Sequence, residues 1–314
     1  MFTIANAAGL DAARVGFHAA FLEQLGIVAK NPLEALFREV PSTTGLEEWE
    51  WLGDLPDFEE WKGDRFLAGL EAFKLRVLNK DWASGIRVHQ NDIKDDRLGL
   101  VAPKIEGLAQ RARSHRVRLM MRLLVNGFTG LEFPAVGNGL GYDGAFFFSA
   151  AHATGSNKLT AALTKASLET AELLLQSQTS YDGVDTLEIM GTDLIIGPKL
   201  VPVANALMKS DFFASVAGTA SETNYLKGRY NIHVSPLLRG TYNNYWFLAD
   251  MSKGTKPFLF QNREEISTSA VIGGQGTQSD SVPRFQRGEL WFGAEARYNV
   301  AYWEHRLIVG SNQP

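Results

Sequence analysis

Four of the seven tryptophans of this 314-residue chain fall between residues 40 and 99, and none of the four sits in a continuous apolar run. Trp49 and Trp51 alternate with glutamates. Trp61 stands in Glu60-Trp61-Lys62-Gly63-Asp64-Arg65, and Trp82 follows Asn79-Lys80-Asp81. A tryptophan ring contributes its large apolar area only when something covers it. Set among charges and turn residues, these rings need a surface from elsewhere: the body of the chain or another copy of it.

The surrounding periodicities predict both strands and helices. Val15, Ala19, Leu22 and Leu25 recur at helical spacing in residues 1–39, and Pro32 begins a second short piece. That helix either packs on its own domain or lies as an arm on a neighbour. Phe73, Leu75 and Val77 alternate with Lys74 and Arg76, and beyond Asn79-Lys80-Asp81, Ile86 and Val88 alternate with Arg87 and His89. The alternation predicts a hairpin over Phe73–Gln90 turning at Asn79–Asp81. A lone hairpin is marginal in water, so it must lie on the body or on a partner.

Residues 101–127 predict the longest helix, with Pro103 in its first turn and Asp95 and Asp96 ahead of it, on the side that the helix dipole favours. About 24 residues at 1.5 Å each span about 36 Å. Ile105, Leu108, Ala109, Ala112, Leu119, Leu123 and Leu124 supply its apolar positions. Residues 128–156 read as loop. Helices are expected near Thr160–Gln178 and Pro198–Ser210. Strands are expected at Leu187–Ile196, Tyr230–Ser235, Trp246–Ala249, Phe258–Gln261, Leu290–Phe292 and Val300–Val309. Gly273-Gly274-Gln275-Gly276 opens a flexible loop.

Composition excludes several functions. A net charge of −4 argues against a protein that coats nucleic acid through a basic surface. With no cysteine there is no disulfide scaffold, thiolate zinc site or cysteine nucleophile. Residues 1–25 lack the pattern of a signal peptide and no stretch has the roughly 18 apolar residues of a membrane span, so a soluble, intracellular chain is expected. None of His18, His89, His115, His152, His233 and His305 shows metal-motif spacing, and His152 looks exposed in its glycine-rich loop. Gly137, Gly139 and Gly141 fail the dinucleotide pattern, because the third glycine would fall at Tyr142. Asp92, Asp95 and Asp96 are explained by the helix that follows them, without a metal. There is no Gly-x-Ser-x-Gly elbow. Arg111, Arg113, Arg116, Arg118 and Arg122 allow a solvated helix face, a subunit contact or a phosphate contact.

The block from 40 to 99 resembles one family, the Mu-like phage major head subunit. The resemblance rests on Val40-Pro41-Ser42-Thr43-Thr44, Trp51-Leu52-Gly53, Glu60-Trp61-x-Gly63-x-Arg65, Asn79-Lys80, Asp92-Ile93-x-Asp95-Asp96-x-Leu98-Gly99 and Ala102-Pro103. Later pieces are similar too: Phe147-Phe148 before His152, Trp246-Phe247-Leu248, Pro257-x-x-x-Gln261, and Phe292-Gly293 followed by Arg297 and Trp303. Between about 128 and 245 the chain is less like Mu and more like the axial domain of other phage head proteins.

The resemblance implies an α+β, Hong-Kong-97-type capsid fold. Its parts would be an N-terminal arm (1–45), an extended hairpin loop region (46–95), a peripheral domain with a long spine helix (96–130 and 246–314) and an axial domain (131–245). It implies a homo-oligomeric shell of hexamers and pentamers around double-stranded DNA bound without sequence specificity. Portal, decoration and separate scaffold proteins would be partners, with no membrane, no cofactor and no enzymatic activity. The chain would be made in the host cytoplasm and end in the virion capsid. Trp49, Trp51, Trp61, Arg65, Asn79, Lys80, Trp82, Asp95 and Asp96 are the expected subunit-interface residues. A non-viral encapsulating shell of the same fold and a phage maturation hydrolase are the alternatives.

Overall fold

The structure, a computed structural model, describes residues 7–27, 30–51, 73–89, 91–92, 98–130, 140–181, 185–213, 222–271 and 289–313. In chain order its elements are α1 (Ala7–Ile27), β1 (Phe37–Pro41), β2 (Leu46–Trp51), β3 (Phe73–Leu78), β4 (Lys80–His89) and α2 (Leu98–Asn126). Then come β5 (Lys158–Leu159), α3 (Lys165–Gln176), β6 (Asp193–Ile196), α4 (Val201–Lys209), β7 (Asn231–Val234), β8 (Trp246–Ala249), β9 (Phe258–Val271), β10 (Glu289–Tyr302) and β11 (Ile308–Ser311). The chain divides into two compact units. The first comprises Met1–Asn31, Asn79–Val117 and Asn262–Asn299; the second comprises Pro32–Leu78, Arg118–Gln261 and Val300–Pro314.

In the first unit, β4 runs antiparallel to β10, from Glu289 opposite His89 to Tyr298 opposite Lys80. These strands belong to a four-stranded sheet of order β1-β9-β10-β4. Val88, Phe292 and Ala294 form its apolar face, and Ile105, Leu108 and Ala109 of α2 cover them. Phe17 and Phe21 of α1 complete that core, with Phe17 meeting Phe292 edge to face at 4.8 Å. The buried line of α1 is thus Phe17, Phe21 and the half-buried Leu25; of the expected Val15, Ala19, Leu22 and Leu25 only Leu25 belongs to it. Val15 and Leu22 are 58% and 45% exposed. Two lines of apolar residues run along α1, and the one with the larger rings takes the core.

Helix α2 has 29 residues, a span of about 44 Å, and Pro103 lies inside it and not in its first turn. The helix starts about a turn earlier than the proline predicts. The expected apolar positions are buried, Ala112 only partly. Of its arginines, Arg116 is buried, pairs with Glu265 at 2.7 Å and lies 5.8 Å from the Tyr298 ring centre. Arg111, Arg118 and Arg122 are exposed.

The second unit holds a five-stranded sheet of order β5-β11-β8-β6-β7. Strands β6, β8 and β11 are buried along their whole length, which is why, apart from Asp193, Gly310 and Ser311, they are apolar throughout. Leu168, Ala171 and Leu175 of α3 pack against them, and Thr164 caps that helix reciprocally with Ser167. The predicted elements here are present but shifted. Leu187–Ile196 yields a strand only at Asp193–Ile196. The expected Phe258–Gln261 and Leu290–Phe292 strands are the ends of 14-residue strands.

Gly197 sits where a side chain would meet the Leu238 carbonyl oxygen at 2.5 Å, whereas a methyl at Gly16 in α1 would meet nothing within 4 Å. Gly197→Ala is expected to lower subunit stability by about 1–3 kcal/mol. Gly16→Ala should be neutral, or stabilising by about 0.5–1 kcal/mol. Urea unfolding of the two variants tests this; similar midpoints would show that the Gly197 contact relaxes without cost.

Candidate assembly elements

The Ser42-Thr43-Thr44 run has a local purpose. Glu47 Oε1 accepts hydrogen bonds from the Thr43 amide at 2.6 Å, the Thr44 amide at 2.8 Å and the Ser42 hydroxyl at 2.9 Å. The Thr44-x-x-Glu47 spacing is that of a helix capping box, used here to fix the turn that launches a strand. The Thr44 and Thr43 amides hold the Glu47 carboxyl down to about 2.

From that turn β2 pairs antiparallel with β3, from Leu46 opposite Leu78 to Trp51 opposite Phe73. Side chains alternate between two faces, as a period of two requires. Trp49, Leu75 and Val77 join Leu259, Ala301 and Trp303 in a small core. The opposite face carries Arg76 on Glu48 at 2.5 Å and Lys74 near Glu50 at 3.4 Å, all exposed. Leu46 and Leu78 also lie exposed, at 42% and 45%.

The hairpin expected over Phe73–Gln90 is therefore not formed. Its first strand, β3, pairs with β2; its second, β4, pairs with β10. Only Asn79 separates the two strands, and one residue cannot reverse a chain that needs at least two. The alternation was real, but Asn79, which is buried, passes the chain from one sheet to another. The hairpin that exists has limbs 46–51 and 73–78.

The predicted contact residues separate accordingly. The Trp49 indole donates to Gln261 Oε1 at 2.8 Å, and Gln261 Nε2 donates to the Val77 carbonyl at 3.2 Å. Trp82 donates to the Tyr298 carbonyl at 2.8 Å and meets His115 edge to face at 4.5 Å. His115 Nδ1 in turn lies 2.8 Å from the Tyr298 hydroxyl, whose pKa burial pushes up to about 12. Trp49 and Trp82 are thus half-buried against their own units, and Lys80 is half-exposed. Trp61, Arg65, Asp95 and Asp96, and the side chain of Trp51, lie outside the described residues.

Sequence reasoning missed a second constellation. His152 is buried, not exposed: its Nδ1 is bonded to Asp143 Oδ2, and its ring stacks on His305 with centres 3.8 Å apart and planes at 17°. Burial acts to raise the Asp143 carboxyl, but the hydrogen bond and charge of His152, with lesser help from His305 and the Ala145 amide, hold it below its ordinary value. Burial, with the His152 charge, pushes His305 well below the ordinary imidazole range. Its members lie 9, 153 and 162 positions apart, so no spacing motif reveals the group; the only cue was a Phe147-Phe148 apolar pair just before His152.

Two outcomes follow. Trp49→Phe removes one hydrogen bond to a buried amide and is expected to cost about 1–3 kcal/mol of subunit stability, read by denaturant unfolding. An unchanged midpoint would assign Trp49 to intersubunit contact alone. Glu47 should titrate near pH 2 by carbon-detected NMR. Its contribution is complete above the ordinary carboxylate value of 4.5 and is lost as pH falls toward 2, so Glu47→Gln should remove this part of the acid sensitivity.

A family profile described as Mu-like prophage major head subunit gpT matches residues 10–162 and 233–314. The Mu-like prophage FluMu major head subunit of Haemophilus influenzae is 25% identical over 291 residues, covering 92% of this chain and 68% of that protein. The major capsid protein of Escherichia phage Mu is 32% identical over 113 residues, which are 36% of this chain and 34% of the Mu protein. In fold, the chain is similar to a subunit of the procapsid of bacteriophage JBD30, with a TM-score of 0.56 and 21% identity over 98% of this chain and 76% of that one. It is also similar to a chain from Mycobacterium phage Cain, at 0.53 and 14% identity over 93% and 94% of the two chains. The profile skips the middle of the chain, where the resemblance to Mu was expected to fade. With most of its length matched, the chain belongs to the Mu-like prophage major head subunit family and is a major capsid protein of the Hong-Kong-97-type fold.

Proposed function

We propose that copies of this chain close into the icosahedral shell of a phage head around packaged double-stranded DNA, through hexamers and pentamers. The observation that carries this reading is the β2–β3 hairpin. It is a two-stranded sheet, anchored on one face and bearing paired charges and exposed leucines on the other. Among the described residues no third strand pairs with it. A closed shell needs each subunit to offer several interfaces, and extended elements provide area without adding a domain.

In this reading the hairpin region (46–95) and the exposed Val15 and Leu22 line of the arm (1–45) contact neighbours. The peripheral (96–130, 246–314) and axial (131–245) domains form the shell wall. Trp61 and Arg65 are of the residue types that most often dominate interfaces. The net charge of −4 suits an inner wall that holds DNA without sequence-specific binding. A scaffold, a portal and decoration proteins are the further partners, assembly takes place in the host cytoplasm, and the chain carries no catalytic activity. Among the described residues, no helix is long and apolar enough to cross a membrane.

The test is electron microscopy and sedimentation of the expressed chain, alone and with its scaffold. Rings or shells are expected. A single 34.6 kDa species at every concentration would overturn the proposal. Trp61→Ala should leave a folded subunit that fails to assemble, with a loss of about 2 kcal/mol or more of contact energy. An unfolded variant would place Trp61 in the subunit core instead.

A further inference from the structure

Among the described residues, Asp143, His152 and His305 are the one group of metal-ligating side chains that converge, with one donor atom from each within 4.8 Å of the others. Two features set the group apart from an ordinary buried ion pair. The first is how the ring nitrogens are used. His152 Nε2 lies 3.2 Å from the Phe147 carbonyl, and His305 Nε2 lies 3.1 Å from Thr154 Oγ1. In each ring Nε2 is engaged with an oxygen; Nδ1 of His152 is held by Asp143, where an ion could replace the shared proton, and Nδ1 of His305 is open to a ligand. Histidines that hold a metal use their second nitrogen in this way, and such partners set the tautomer and the ring orientation. The second feature is His305 Nδ1, which is buried in a residue 1% exposed and has no hydrogen-bond partner. A buried polar atom without a partner is rare and costly.

The carboxylate is prepared as well. Asp143 Oδ1 accepts from the Ala145 amide at 3.1 Å, which leaves Oδ2 toward His152. The adjacent Arg306 guanidinium is paired with Glu304 through two contacts of 2.8 Å. One carboxylate and two imidazoles are thus within reach of a single cation.

The geometry points to a site for one divalent transition ion of the zinc class, held by Asp143 Oδ2, His152 Nδ1 and His305 Nδ1, with water in a fourth position. Two nitrogens and one oxygen suit zinc-like ions and not magnesium or calcium, which take oxygen ligands. Ligand atoms around tetrahedral zinc stand about 3.3 Å apart, so on loading the hydrogen-bonded Asp143–His152 pair opens while His305 Nδ1 moves to share the ion. The stacked rings direct their in-plane lone pairs side by side, so one ring must also tilt. His305, with Nδ1 unengaged, is the ring able to do so. The ion would clamp the loop bearing Asp143 and His152 to the segment that leads into β11. This inference is independent of shell assembly and concerns the subunit alone.

The test uses the full chain without a histidine tag, stripped with chelator and titrated with ZnCl2 or CoCl2. One ion per chain is expected, with a visible tetrahedral Co2+ spectrum, a rise of a few degrees in melting temperature, and reversal by chelator. His305→Gln should abolish binding. Thr154→Val keeps all three ligands but removes the oxygen on His305 Nε2, and should weaken binding about 10–100-fold. If His305→Gln fails to fold, the Co2+ spectrum and Thr154→Val decide. No binding by the native chain, or binding unchanged in the variants, would overturn the site and leave Asp143–His152–His305 as a buried ion pair with a stacked neighbour.

Discussion

One buried side-chain amide holds both limbs of the hairpin. Gln261 accepts from the Trp49 indole of β2 and donates to the Val77 carbonyl of β3. A two-stranded sheet has little stability of its own. The amide gives this one a fixed origin, and Leu75 and Val77 seal it against Leu259, Ala301 and Trp303. Because the amide is buried, each of its hydrogen bonds weighs more than it would at the surface. The turn at Glu47 fixes one approach to the hairpin base and Asn79 fixes the other. The polar residues at the base thus set a direction, and the apolar ones supply the adhesion.

Tryptophan is used here in a way that composition alone misreads. Trp49 and Trp82 stand among charges, yet each spends its N–H on its own unit and lays its ring on a local partner. They are half-buried anchors on paired strands of their own units. The charges around them belong to the opposite strand face or to the next residue in an alternating pattern.

Much of the architecture was legible in the chain. The long helix, the strand at Trp246–Ala249 and the helix after Thr164 follow from periodicity and capping residues, which act locally. What was hidden is non-local. Alternation in Phe73–His89 shows two strands but not their partners, and a single residue decided that they serve different sheets. The mostly polar stretch Asn262–Val271 extends β9 because its backbone pairs, although its side chains show no apolar alternation. On α1, two apolar lines competed and aromatic bulk settled the matter. The burial of His152 depends on His305, more than 150 positions away, and no local pattern encodes that distance. The resemblance to head subunits rested on the block around the hairpin, where the Ser42 and Thr44 hydroxyls and the Glu47 carboxylate form a turn with the Thr43 and Thr44 amides.

The charged outer face of the hairpin bears on solubility before any shell exists. A shell protein accumulates in many copies, and a two-stranded sheet with open edges is a template on which other strands can stack. Glu48 with Arg76, and Glu50 with Lys74, put both signs of charge across that face. A second hairpin approaching face to face would have to strip water from all four groups. In the proposed shell, the same pattern would admit only a neighbour whose charges are complementary and in register.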